Sequence, residues 1–137
     1  MQHEPNPIRG GFTLVEIMIV VAIIALLAAI AVPNFMRARK RSQATRILEE
    51  LRLIDAAQDQ YAIDTNRSAG DTVAWTDIQN YLKTGSVLYN SGGMDLLGNA
   101  YNDGAAFSVD IYPHVSSTTF AALSDVAPSD FWSPFGG

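Results

Sequence analysis

Phe12 to Val32 reads FTLVEIMIVVAIIALLAAIAV. Only Thr13 and Glu16 in it are polar. Coiled as a helix at about 1.5 Å per residue it is roughly 30 Å long, the thickness of a bilayer's hydrocarbon core. No other stretch of the chain is comparably apolar, so the rest of the fold has to be arranged around a membrane-spanning helix. A short polar leader ending Arg9-Gly10-Gly11 precedes it. Glu16 near its start is unusual. A carboxylate costs on the order of 2.5–3.5 kcal/mol at the centre of a membrane helix, less near an end. Such an acid either snorkels to the interface or has a cationic partner, and the stretch itself contains no cation. The partner is then another chain, or an α-amino group made by cleavage.

Gly11-Phe12-Thr13-Leu14-Val15-Glu16, the apolar helix, and Ala31-Val32-Pro33-Asn34-Phe35 resemble the N-terminal signature of type IV prepilins and type II secretion pseudopilins. The resemblance runs from Gly10 to about Ser42 and departs at Ala25, where many members have Gly. It implies a leader over residues 1–11, cut between Gly11 and Phe12 by a membrane-embedded prepilin peptidase that also N-methylates Phe12. It further implies that Glu16 and the new amine of Phe12 act in assembly, and that the leader is cytoplasmic with the remainder outside. Pro5 and Pro7 discourage helix in the leader, and Gly10-Gly11 suits an extended segment in a peptidase cleft. A competing site is Ala29-Ile30-Ala31, the A-x-A pattern of ordinary signal peptidase, which would release a soluble protein starting at Val32. The acid inside the apolar run and Glu4 in the leader speak against it.

The chain has 137 residues, room for one membrane helix and one small domain. It has no cysteine, which excludes disulfides, thiolate metal sites, a cysteine nucleophile and a lipidated Cys. Many pilins have a disulfide-bounded loop near the C-terminus, so its absence tilts the resemblance toward pseudopilins. The formal net charge is −5, unevenly placed. Arg37, Arg39, Lys40, Arg41, Arg46 and Arg52 form a basic collar just past the apolar stretch. From Asp55 onward acids dominate, with only Arg67 and Lys83 against them. An acidic domain is a poor nucleic-acid binder. The collar suits anionic lipid heads, the acids of a neighbouring subunit, or simply water. By charge bias alone the collar belongs in the cytoplasm; the resemblance implies the reverse orientation, and its motif is the more specific signal.

Pro33 lacks an N–H and clashes with the carbonyl of Ala29, so a bend or local melting is expected there. Beyond it Ala44, Ile47, Leu48, Leu51, Ile54, Tyr61 and Ala62 recur at helical spacing, with Arg46, Glu49, Glu50 and Asp59 assigned to the opposite side. One helix is expected from about Phe12 to Asp64, roughly 80 Å long. It divides into a transmembrane and filament-core part (12–33) and an amphipathic continuation (34–64). Residues 65–137 then form a small head. A short helix is expected after Thr76-x-x-Gln79, read as a capping box, with Asp77 on the dipole and Gly85 as its end. Val87-Leu88-Tyr89 is a strand candidate. Asn102-Asp103-Gly104 is a turn, and Phe107 to Tyr112 alternates like a half-buried strand. Ser117 to Val126 reads as another helix, and Phe131, Trp132 and Phe135 have to pack on the head or form an exposed patch. The fold class is therefore α+β and pilin-like: a long N-terminal helix packed by its second half on a small head with a short helix and antiparallel strands.

Asp95-Leu96-Leu97-Gly98-Asn99-Ala100-Tyr101 resembles the Asp-Pro-x-Gly-x-x-Tyr segment of major pseudopilins, with Leu96 in place of Pro. Asp95, Asn99, Asn102 and Asp103 are hard oxygen ligands that calcium accepts, although Asn and Asp also build ordinary turns. Major pseudopilins hold calcium in a comparable loop. Catalytic equipment is poor: His114 is the one histidine outside the leader, and no nucleophile-elbow, zinc-protease or phosphate-loop motif occurs. The expected function is a non-enzymatic subunit of a helical homo-oligomeric filament. It enters the inner membrane as a single-pass prepilin with its head outside the cytoplasm. Its partners are the prepilin peptidase, an inner-membrane assembly platform and copies of itself, in a periplasmic pseudopilus of type II secretion. The alternatives are an extracellular type IV pilin, and a monomeric anchored or secreted binding module.

Overall fold

The computed structural model describes residues 1–5 and 10–136. The leader positions Pro7 and Arg9 lie outside the described residues. The chain divides into two compact units, Met1–Met36 and Arg37–Gly137.

Helix α1 covers Leu14–Thr65 without interruption, Pro33 included. Of the bend or local melting expected at Pro33, the melting does not occur: the helix continues through it. In the first unit the large apolar side chains of α1 are exposed all round, from Leu14 and Val15 to Phe35 and Met36. This helix is long and apolar enough to cross a membrane.

In the second unit α1 supplies one wall of the core. Ala44, Ile47, Leu51 and Ile54 are fully buried, with Leu48, Ala57 and Tyr61 nearly so. Spacings of three and four residues place them on a single stripe. The head covers that stripe. Strand β1 (Thr72–Val73) pairs antiparallel with β2 (Phe107–Ser108), in the register Thr72 to Ser108 and Val73 to Phe107. Helices α2 (Trp75–Gln79), α3 (Val87–Asn90) and α4 (Ser117–Leu123) and two 3₁₀ turns, Tyr101–Gly104 and Ser129–Trp132, complete it. The architecture is that of pilins: a long apolar N-terminal helix continuing into a small α+β head.

Four local expectations are corrected. Val87-Leu88-Tyr89 is the body of α3, not a strand. The Ser86 hydroxyl accepts the Tyr89 N–H at 3.1 Å, an N-cap that commits so short an apolar run to helix. The strand at Phe107 stops after Ser108, because Asp110 takes φ +59, a left-handed conformation that ends the pleat. Helix α2 starts at Trp75, with Asp77 accepting the Ala74 N–H at 3.0 Å; Thr76 and Gln79 are not its capping pair. Instead the Gln79 amide donates to the Tyr89 carbonyl at 2.7 Å, joining α2 to α3. Finally, α2 ends at Gln79, six residues before the helix end expected at Gly85.

The aromatic tail packs as expected. Trp132 is fully buried and donates its Nε1–H to the Ala127 carbonyl at 3.1 Å; Phe135 is also buried. Trp75 and Tyr81 are packing residues, half-buried against Phe107 and Tyr61 respectively.

Candidate functional site

Two places gather the residues that the sequence singles out. The first is the start of α1. The Thr13 hydroxyl accepts the Glu16 N–H at 3.2 Å, and Glu16 Oε2 accepts the Thr13 N–H at 2.9 Å. This reciprocal pair is a capping box, and it satisfies two donors that a helix N-terminus otherwise leaves orphaned. The spacing Thr13-x-x-Glu16 carried that signal in the sequence; the rarity of a membrane acid drew attention to its charge instead. The box fixes where the carboxylate points. Phe12 and Glu16 line one shallow apolar recess with Ile17, Ile19 and Val20. Phe12 is itself exposed, and a Cβ built on Gly10 or Gly11 meets nothing within 4 Å. Among the described residues nothing crowds Gly10, Gly11 or Phe12.

The second place is a buried polar clasp in the head. Glu50 was assigned to the solvent side of α1, but it is only 7% exposed. It lies three residues after Ile47 and four before Ile54, hence on the edge of the core stripe. Its Oε2 accepts the Tyr101 hydroxyl at 2.7 Å, and its Oε1 accepts Arg46 Nε at 3.3 Å. Burial, together with the hydrogen bond from the phenol to Glu50, pushes the Tyr101 hydroxyl well above the ordinary tyrosine range. This gives the Asp95–Tyr101 segment a structural meaning. Asp95 Oδ1 accepts the N–H groups of Leu97 and Asn99 at 2.9 and 3.0 Å, closing a tight turn that needs φ +84 at Gly98. The turn delivers Tyr101 to Glu50, so one loop is locked to the long helix.

The side chains considered for calcium take part in hydrogen bonds within the head. Asp95 Oδ2 accepts a short hydrogen bond from the Thr119 hydroxyl, which in turn accepts from the Asn99 amide at 2.9 Å. Asn102 Oδ1 accepts the His114 N–H at 2.7 Å. Asp103 Oδ1 accepts both the N–H and the hydroxyl of Ser117, at 2.8 and 3.0 Å. Three separate partners hold these side chains, and among the described residues no three acids or histidines gather as a metal group.

Part of the collar is ion-paired within the second unit. Lys40 Nζ meets Asp125 at 3.0 Å, and Arg52 pairs with Glu49. Both pairs are exposed and contribute little, about 0–1 kcal/mol each.

The family model of the prokaryotic N-terminal methylation motif matches residues 7–32, which include the Gly11–Phe12 peptide, the capping box and the apolar helix. The chain carries a prepilin-type N-terminus. Over 62 residues it is 45% identical to the type IV major pilin protein PilA of Myxococcus xanthus, an overlap that covers 45% of this chain and 28% of that protein. Over 64 residues it is 44% identical to the type IV wide pilus major component PilA4 of Thermus thermophilus, covering 47% and 49%. Over 59 residues it is 37% identical to the type II secretion system core protein G of Klebsiella pneumoniae, covering 43% and 42%. The chain thus spans half or less of the length of these curated relatives. Both pilus proteins and a type II secretion system core protein are among them. No solved structure matches.

Proposed function

We propose that the protein is a prepilin whose mature form is a subunit of a helical filament, with no catalytic activity of its own. Residues 1–11 are the leader, 12–33 the membrane and filament-core helix, 34–64 its amphipathic continuation, and 65–137 the head. The observation that carries this reading is the start of α1, where the Gly11–Phe12 peptide, uncrowded among the described residues, stands beside Glu16. The helix that follows exposes apolar side chains on every side. Such a surface is not stable in water, so lipid covers it first and other apolar helices later.

Cleavage after Gly11 turns Phe12 into a cationic N-terminus, which the peptidase N-methylates. Glu16 of one subunit then pairs with the amine of the next in low dielectric, where a paired charge is tolerated and an unpaired one is not. The contact joins two different surfaces, does not close, and grows a filament from the inner membrane. Arg37, Arg39 and Arg41, which form no ion pair among the described residues, are placed to meet the lipid surface on the outer side.

Within this reading the filament is a type II secretion pseudopilus, supported by the Asp95–Tyr101 clasp and by the cysteine-free head. A surface pilus is the second reading, favoured by the 45% and 44% identities to pilus proteins. Deleting the protein separates the two: loss of protein secretion supports the first, loss of surface fibres the second. The assembly mechanism is tested by Glu16→Ala. Membrane insertion and leader cleavage are expected to persist while filaments are lost; normal filaments in this variant would sink the mechanism.

A further inference from the structure

The head carries two unlike exposed surfaces on opposite flanks of α1. At about 100° per residue, Leu53 and Gln60 lie roughly 130–150° to one side of the buried stripe of Ile47, Leu51 and Ile54. Asp55 and Asp59 lie roughly 70–110° to the other side, with Ile63 beyond them toward the back of the helix. On the first flank α1 and the α2–α3 segment enclose an apolar recess of about 540 Å³. Leu53 and Val87, 55% and 62% exposed, stand at its mouth, and the cations Arg46 and Lys83 line it. Its one acid, Glu50, is held by Tyr101 and paired with Arg46, which leaves Lys83 as the cation of the recess without an ion pair among the described residues. On the second flank Asp59, Ile63 and Asp110 share a recess with Arg67, and Ile63 and Ile111 are 75% and 58% exposed. Asp55 sits beside Asp59, and burial with that like-charge neighbour raises its carboxyl above the ordinary range. Arg67 is turned inward, 3.4 Å from the Tyr61 hydroxyl and 6.0 Å from the centre of its ring, and so does not neutralise the aspartates fully.

Each flank therefore pairs exposed aliphatic side chains with charge, and the signs are opposite. We propose that the Lys83–Val87 recess of one copy receives the Asp59–Ile63–Asp110 flank of a second copy. Because the two surfaces differ and lie on either side of one helix, the contact is heterologous and repeats without closing. Aliphatic burial supplies attraction, and the charge complementarity fixes which flank meets which. The inference rests on the filament reading above and adds to it the surfaces by which successive heads meet.

The chain has no cysteine, so introduced pairs report cleanly. Full-length protein carrying both Val87→Cys and Ile63→Cys, assembled in its native cell and treated with a flexible bis-maleimide, should give a ladder of covalent multimers. Either single variant should remain monomeric. Lys83→Glu should reduce the ladder several-fold, and adding Asp59→Lys should restore it. Covalent dimers from a single-cysteine variant would mean a self-complementary contact and overturn the proposal, as would normal filaments from the double variant with no multimers. Capture of a different protein at Val87→Cys, with no ladder, would assign the recess to another partner. If the unmodified chain formed no filaments at all, the filament reading itself would fail, independently of the head contact.

Discussion

Replacing Tyr101 by Phe removes a single oxygen and tests the clasp that joins head to helix. The lost bond is 2.7 Å long and ends on a carboxylate only 7% exposed. A hydrogen bond to a charged group contributes about 1.5–3 kcal/mol, and a buried acceptor left without its donor costs a similar amount. Glu50 retains Arg46 Nε at 3.3 Å, so its charge is not abandoned, and the middle of that range, about 2 kcal/mol, is expected. In a head of this size each kcal/mol moves Tm by roughly 4–8 °C, which predicts a drop of about 8–16 °C. The assay is thermal unfolding of the full chain in detergent, followed by near-ultraviolet circular dichroism. Trp75 and Trp132 both belong to the Arg37–Gly137 unit, so the signal reports the head. Tyr112→Phe, at a position 55% exposed, is the control and should stay within about 0.5 kcal/mol. A Tyr101→Phe protein as stable as this control would refute the clasp.

The raised Tyr101 hydroxyl also predicts an alkaline limit. Above pH about 10 the unfolded chain releases the Tyr101 proton while the folded chain keeps it, so stability falls as pH rises, by up to about 1.4 kcal/mol per pH unit. Below pH 10 that contribution is fully present, and denaturant titrations from pH 8 to 11 should show a shallower decline for Tyr101→Phe. Thr119→Val removes the hydroxyl that bridges Asp95 and Asn99 in a fully buried position and should destabilise the head by about 1–3 kcal/mol, with Thr119→Ser largely restoring it. Calcium or a chelator should leave Tm of the natural protein unchanged. A cation bound at 100 times its Kd would add about 2.7 kcal/mol, a shift of many degrees that would contradict the hydrogen-bonded account of the loop.

The long helix was legible because its signals are repeated many times over: an apolar run of membrane length, then a stripe at three- and four-residue spacing whose members Ala44, Ile47, Leu51 and Ile54 are indeed buried. What escaped were single residues whose chemistry and position disagree. Glu50 occupies core spacing, yet its charge assigns it to the solvent side in the sequence. In the fold Tyr101 makes its burial acceptable, and the Ser108 carbonyl accepts the amide of the equally buried Gln58 at 2.9 Å, while Gln58 Oε1 has no partner among the described residues. Those partners lie about fifty residues away, beyond the reach of any local pattern. The head's strands were overestimated for a related reason. Apolar alternation over Phe107, Val109 and Ile111 says nothing about the sign of φ at Asp110. A three-residue apolar run such as Val87–Tyr89 cannot distinguish strand from helix without its cap at Ser86. At the candidate site, Phe12 and Glu16 were found from composition and resemblance, whereas the role of Thr13 emerged only from the capping geometry.

The central claim is that this chain is processed at Gly11–Phe12 and assembles through what that cut creates. The mass of the N-terminal peptide of the mature protein, isolated from its native cell, tests it most directly. The account predicts a terminus at Phe12 carrying one added methyl group. A terminus at Val32 would mean release by ordinary signal peptidase, and would remove both Glu16 and the amine it is proposed to bind.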